Sequence, residues 1–227
     1  MTLWVAGTNA WIVAPDGTDE CIVVDVPPEP DRLRRRLDEL GLRPAVLLLT
    51  HGHVDHVGGV GTLVRAVTPA PTVLLHGADL PLLQDPVGTS GQLGALLAAS
   101  GLDTRPPEVV QSPEDGEEIS ALGLRFRSLH TPGHTPGSTC FLLEPAPDQR
   151  VLFSGDHLFA GSIGRTDLPG GSLPDLLRSM EEQILPLPDD VRVLPGHGPT
   201  TTVGVEREHN PYLAGLRRRR VVPGWTP

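Results

Sequence analysis

Short apolar runs, separated by polar breaks rich in Gly and Pro, recur along most of the chain, and their lengths suit strands more often than helices. Residues 3–5, 10–14 and 21–26 predict an opening set of strands, with Pro15-Asp16-Gly17 supplying the turn between the last two. Leu33, Leu37 and Leu40 recur at i, i+4 and i+7 and predict a helix to residue 40, capped by Asp31 and ended by Gly41. Strand 45–49, a helix over 59–67 and a short strand at 72–75 follow. Residues 77–107 are the least regular part, with one helical piece at 93–99, and can form either a cover or a surface connection. Strand character returns at 109–110, 124–129, 138–143, 151–153 and 191–194. Helices are predicted near 173–184 and 205–216. Trp4, Trp11 and Phe141 read as core.

The apolar run 45–49 leads directly into Thr50-His51-Gly52-His53-Val54-Asp55-His56-Val57-Gly58-Gly59, which places three imidazoles and a carboxylate within six residues. Imidazole and carboxylate together suit zinc, iron or manganese, and the absence of thiolates separates this group from the Cys-rich sites that only hold a fold together. Three later positions share one local logic, in which an apolar strand ends and a Gly-flanked turn presents a ligand-type side chain. They are His134 in Thr131-Pro132-Gly133-His134-Thr135-Pro136-Gly137, Asp156 in Ser154-Gly155-Asp156, and His197 in Pro195-Gly196-His197-Gly198-Pro199.

Length and charge narrow the setting. A chain of 227 residues is long enough for one large domain spanning 1–227. A formal net charge of −10 argues against nucleic acid as the main partner, since phosphate binding needs a basic face. Arg217-Arg218-Arg219-Arg220 reads as a solvated segment. Cys21 and Cys140 lie in apolar runs without Cys-x-x-Cys spacing, which predicts buried free thiols in a reducing compartment. No run is long enough to span a bilayer and no leader pattern is present, so a cytoplasmic protein is expected.

Taken together, these motifs resemble the metallo-β-lactamase superfamily, whose pattern is His-x-His-x-Asp-His, a later His, an Asp and a final His. The resemblance covers nearly the whole chain, beginning with Asp25 at the end of its strand. It implies an α+β fold, an αββα sandwich of two mixed sheets with helices on the outer faces and two divalent metal ions at one edge. By the same resemblance His51, His53 and His134 bind the first ion and Asp55, His56 and His197 the second. Asp156 bridges both, Asp25 orients an imidazole, and Asp55 and Asp156 are the carboxylates closest to catalysis. Zinc is the expected metal, with iron or manganese as alternatives.

Thr131 to Ser138, Gly155-Asp156-His157-Leu158-Phe159, Gly164-Arg165-Thr166-Asp167 and Pro195 to Pro199 look like the glyoxalase II-like branch, closest to its short bacterial members. This implies hydrolysis of a small thioester. Full-length glyoxalase II carries an added helical C-terminal domain for glutathione, whereas thirty residues follow His197 here. A rival resemblance is to persulfide dioxygenases, which share the scaffold and the Gly-Arg-Thr-Asp motif; their single iron would fall on His51, His134 and Asp156. Lactonase or β-lactamase activity is a weaker alternative. Arg165 either contacts an anionic substrate group or pairs with a carboxylate such as Asp167. His76 and His209 are assigned no role, while His130 and His157 adjoin the ligand loops and read as structural.

Overall fold

The computed structural model describes residues 1–144 and 149–217. β1 (Thr2–Leu3) and β2 (Thr8–Asn9) form a short hairpin before β3 (Trp11–Val13) and β4 (Glu20–Val24). α1 (Pro30–Leu40), β5 (Arg43–Leu48), α2 (Val54–Val57), α3 (Val60–Ala66) and β6 (Thr72–Leu74) complete the first half. A single 3-10 turn, Gly77–Asp79, then leads into α4 (Leu80–Gln84) and α5 (Gly91–Ser100). The second half runs β7 (Glu118–Ala121), β8 (Leu124–His130), β9 (Thr139–Leu143), β10 (Val151–Gly155), β11 (Leu158–Phe159) and β12 (Ser162–Ile163). It closes with α6 (Leu173–Ser179), β13 (Arg192–Pro195), β14 (Thr201–Thr202), α7 (Val203–His209) and α8 (Ala214–Arg217).

Two mixed sheets form the αββα sandwich. One is four-stranded in the order β3-β4-β5-β6, with β4, β5 and β6 parallel. The other is six-stranded in the order β14-β13-β10-β9-β8-β7, with β10 and β13 parallel. Period-two alternation sorts the strand residues into layers. Ile22 and Val24 of β4 meet Phe141 and Leu143 of β9, with Phe126 and Phe153, between the sheets. Cys21 and Val23 face outward onto Leu33 and Leu37 of α1 and Leu63 of α3. Cys140 and Leu142 face outward onto Leu176 of α6, Met180 and Ile184. Both faces of each sheet are thus covered, which is why these strands read as continuous apolar runs. Both cysteines are free and buried, and burial pushes their thiols up to about 11 for Cys21 and about 12 for Cys140.

Several local expectations differ. α1 starts at Pro30, whose ring presets the helical φ, so Asp31 lies in the first turn and Glu29 takes the capping position. Gly41 closes the helix in the left-handed region at φ 66°, as expected. The helix predicted over 59–67 is α3, and a separate turn, α2, already begins inside the His-rich loop. Residues 77–107 are more helical than their Gly and Pro content suggested. Positions 109–110 do not form a strand; instead Gln111 bridges the β6 edge, donating to Val73 O and accepting from Leu75 N at 2.8 and 3.0 Å. β7 went unpredicted because Glu118 and Ser120 dilute its apolar signal. Trp4 is not core: it is half-buried at φ 59° in the opening hairpin, and its amide donates to Glu29. Pro211 splits the last helix into α7 and α8 with a 3-10 turn between them. Arg217 ends α8, and Arg218, Arg219 and Arg220 lie outside the described residues.

Candidate metal centre

Parallel pairing of β4 with β5 and of β10 with β13 brings the C-terminal ends of these strands to one edge of the sandwich. β5 runs into His51 and His53, with Asp55 and His56 on α2. β10 delivers Asp156, β13 delivers His197, and the turn after β8 delivers His134. All seven converge in overlapping groups of possible metal ligands.

In the first group, His51 Nε2 lies 3.1 Å from His53 Nδ1, His53 Nδ1 lies 2.9 Å from His134 Nε2, and His134 Nε2 lies 3.2 Å from His51 Nε2. A ring nitrogen either donates or accepts, so three of them in mutual contact must include at least one pair of like kind. Hydrogen bonding cannot satisfy that triangle; three lone pairs converging on one cation can. In the second group His197 Nε2 stands 3.2 Å from Asp55 Oδ2 and 3.4 Å from His56 Nε2. Asp156 joins the two. Its Oδ2 is 3.6 Å from His134 Nε2 and 3.4 Å from His197 Nε2, and its buried Oδ1 approaches His56 Nε2 at 3.2 Å without a hydrogen bond. The donor types and their convergence fit two divalent ions.

Other residues fix these donors in orientation. Asp25, at φ 62°, accepts from Thr50 N at 2.8 Å, Thr50 Oγ1 at 2.9 Å and His56 Nδ1 at 2.7 Å. Because the Thr50 hydroxyl proton goes to Asp25, its oxygen is left to accept from His51 Nδ1 at 3.1 Å. His134 Nδ1 donates to the Arg165 carbonyl at 2.7 Å. These three bonds aim the Nε2 lone pairs of His51, His56 and His134 into the centre. Thr8 Oγ1 donates to Asp55 Oδ2 at 3.0 Å, and Asn9 holds the His197 turn by donating to Gly196 O, Pro195 O and Gly198 O. Gly196 has to be a glycine, since a Cβ there would sit 2.2 Å from Asp156 Oδ1 and 2.6 Å from His56 Cε1.

The sequence reading missed Thr8, Asn9 and Thr50. Thr50 was detectable as the hydroxyl immediately before His51, but nothing local marks the others. Arg165 pairs its guanidinium with Asp167 in two bonds of 2.8 and 2.7 Å, both side chains exposed, while its carbonyl is the group that touches His134. His130 donates to Pro136 O at 2.9 Å and stacks on His76 with ring centroids 4.0 Å apart. His157 is buried with neither ring nitrogen hydrogen-bonded; burial and then the charge of His134 hold it down to about 3. His209 is exposed.

The ion-free electrostatics show how the charges balance. Burial, then the neighbouring imidazoles, hold His51 well below its ordinary value, and burial followed by His134 brings His53 to about 4. Burial also opposes charge on His56 and His197, yet the surrounding carboxylates outweigh it. His56 is raised well above its ordinary value by Asp156, Asp55 and Asp25, and His197 reaches about 9 through Asp156 and Asp55. Burial alone would raise Asp55, but His56 and His197 bring it down to about 2.

Two stacked mixed sheets with a cluster of five histidines and two aspartates at their common edge define a metal-centre protein of the αββα class. The chain matches the metallo-β-lactamase superfamily over residues 3–205 and belongs to it. It is 37% identical over 213 residues to the hydroxyacylglutathione hydrolase GloC of Haemophilus influenzae, covering 93% of this chain and 90% of that one. Among solved structures it is similar to TTHA1623 in a di-iron-bound form, at 39% identity and TM-score 0.78, over 94% of this chain and 98% of that one. It is likewise similar to BLEG-1, a B3 metallo-β-lactamase, at 37% identity and TM-score 0.78, with 94% and 98% covered. No helix among the described residues is long and apolar enough to cross a membrane.

Proposed function

We propose that this chain is a metal-dependent thioesterase that hydrolyses small hydroxyacyl-thiol substrates, with two divalent ions held by the seven donors. His51, His53 and His134 would hold one ion, Asp55, His56 and His197 the other, and Asp156 would reach both. Such a pair, when bound, lowers the pKa of a shared water towards neutrality and polarises a carbonyl oxygen. The observation that carries the substrate class is that, among the described residues, the acids around the centre are already committed. Asp55 and Asp156 face imidazoles, Asp25 and Asp79 accept buried hydrogen bonds, and Asp167 is held down to about 2 by Arg165. An amide nitrogen leaves only with a proton, whereas a thiol of pKa about 8.5 leaves as the thiolate. The relative named as a hydroxyacylglutathione hydrolase supports the same reading.

The chain's own residues then have separable tasks. Asp25, Thr50 and the Arg165 carbonyl keep the imidazoles in the tautomer that presents Nε2, while Thr8 and Asn9 keep Asp55 and the His197 turn in place. We further propose zinc as the metal, a cytoplasmic setting in keeping with the two free buried thiols, and no nucleic-acid partner given the net charge of −10. A one-iron dioxygenase using His51, His134 and Asp156 fits less well. His53 Nδ1 closes the first group at 3.1 and 2.9 Å, and that reading leaves the second group without a task. Metal analysis of protein purified without added metal, with oxygen uptake and thioester hydrolysis measured on the same sample, tests the proposal. Two metals per chain with hydrolysis support it; one iron per chain with oxygen consumption overturns it.

A further inference from the structure

The turn Gly77–Asp79 places a carboxylate directly behind the first group of imidazoles. Asp79 is fully buried, and its two oxygens meet three donors on two different loops. Oδ2 accepts from Gly52 N at 2.8 Å and from Thr135 Oγ1 at 2.6 Å, and Oδ1 accepts from Gly137 N at 2.7 Å. Gly52 lies between His51 and His53, while Thr135 and Gly137 follow His134. One side chain therefore ties together the two loops that supply all three imidazoles of that group.

The glycines in both motifs follow from this contact. A Cβ on Gly137 would stand 2.7 Å from Asp79 Oδ1, and one on Gly52 would stand 2.8 Å from Asp79 O and 2.7 Å from Leu82 Cβ. The surrounding proton directions follow as well. With the Thr135 hydroxyl donating to Asp79, Ser138 Oγ donates to Thr135 Oγ1 at 2.7 Å and accepts from Thr135 N at 3.0 Å. Asp79 is itself held by its turn, where Asp79 N donates to His76 O at 3.0 Å and His76 Nδ1 accepts from Ala78 N. The second group, Asp55, His56 and His197, makes none of these bonds.

We infer that Asp79 is a positioning residue for the first metal ion alone, setting the spacing of His51, His53 and His134 through the backbone of their loops. This rests on the two-ion reading above. Asp79→Asn is the direct test, because an amide has one acceptor oxygen and would turn an N–H toward at least one of three donors. Zinc titration of the full chain, followed by imidazole 15N resonances, reports each group separately. The expected result is a roughly 10–100-fold weaker first ion, read at His51, His53 and His134, with His56 and His197 titrating as in the parent. Gly137→Ala should reproduce that selectivity. In metal-free protein Asp79→Asn should also lose hydrogen-exchange protection at the Gly52 and Gly137 amides. Thr135→Val, which removes a single donor, replaces Asp79→Asn if that variant does not fold. Equal weakening of both groups, or none, overturns the inference. A parent protein that binds fewer than two zinc ions overturns the two-ion reading and this inference with it.

Discussion

His56 Nδ1 lies 2.7 Å from Asp25 Oδ2, and the same carboxylate oxygen takes the Thr50 hydroxyl at 2.9 Å, so one acidic side chain governs an imidazole in each group. His56 is reached directly, and His51 is reached through Thr50 Oγ1. Asp25 occupies the left-handed region at φ 62°, where Asn is at least as well tolerated as Asp. Asp25→Asn therefore removes the charge while sparing the backbone. It should weaken both ions by about 10–100-fold, in contrast to the one-sided effect expected at Asp79. Site-resolved zinc titration checks this, and an effect confined to one group would show that the Thr50 relay carries nothing.

The Asp156 carboxylate approaches an imidazole of each group, so Asp156→Ala should release both ions and lower kcat/KM by about 100-fold or more, beyond the loss expected for an orienting residue. His197→Ala should empty the second group first, since His197 belongs to that group alone. Metal content after gel filtration decides between these outcomes. An Asp156→Ala protein that retained two tightly held ions would refute the bridging assignment.

How much of this was legible beforehand follows from where the information sits. His51, His53, Asp55, His56, His134, Asp156 and His197 each stand in a Gly-marked turn after an apolar strand, so chain-local patterns exposed them. The two-layer core was equally visible, because Ile22 and Val24 alternate with Cys21 and Val23 in a run apolar on both faces. Asp79 and Thr8 act 27 and 47 residues from their nearest partners, Gly52 and Asp55, and no window of sequence holds both ends. Asp31 was misplaced because Pro30 competes for the helix start. Asp167, two residues on, was a visible partner for Arg165, but only the structure shows the two bonds formed.

The stability of metal-free protein should peak near pH 6.5, the ordinary histidine value. His197, raised to about 9, and His56, raised further, stabilise the fold in their protonated form; that contribution is complete below 6.5 and is lost as pH rises through 9. His53 at about 4, His157 at about 3 and His51 behave in the opposite way. Their folded forms resist protonation, so stability falls as pH drops below 6.5. Asp55, at about 2, adds a loss only in stronger acid. Urea unfolding of chelator-treated protein from pH 5 to 9 should trace this maximum. With zinc bound to His56 and His197 the alkaline decline should vanish, because the ion replaces their protons. A metal-free stability that rises steadily to pH 9 would contradict the charge balance described here.

The leaving group separates the proposed thioesterase reading from its alternatives within the superfamily most sharply. Departure of an amine requires a proton at the breaking bond, and the described residues of the centre offer no uncommitted acid: Asp167 is tied to Arg165, and burial holds His157 down to about 3. Activity should therefore fall as the leaving group becomes more basic, in the order thioester, ester, amide for one acyl group. The comparison is made on kcat/KM with zinc-replete protein, so that each difference reports transition-state stabilisation rather than binding alone. A thioester-to-amide ratio above about 1000-fold corresponds to roughly 4 kcal/mol, within the range that a well-placed general acid contributes. Raising the thiol pKa within a thioester series should slow hydrolysis as well, since the same missing proton is then felt within one substrate class. BLEG-1, a B3 metallo-β-lactamase on the same fold, makes a β-lactam the most demanding control. Turnover of a β-lactam or a plain amide at the thioester rate would leave the seven-donor centre standing and remove the thioesterase assignment.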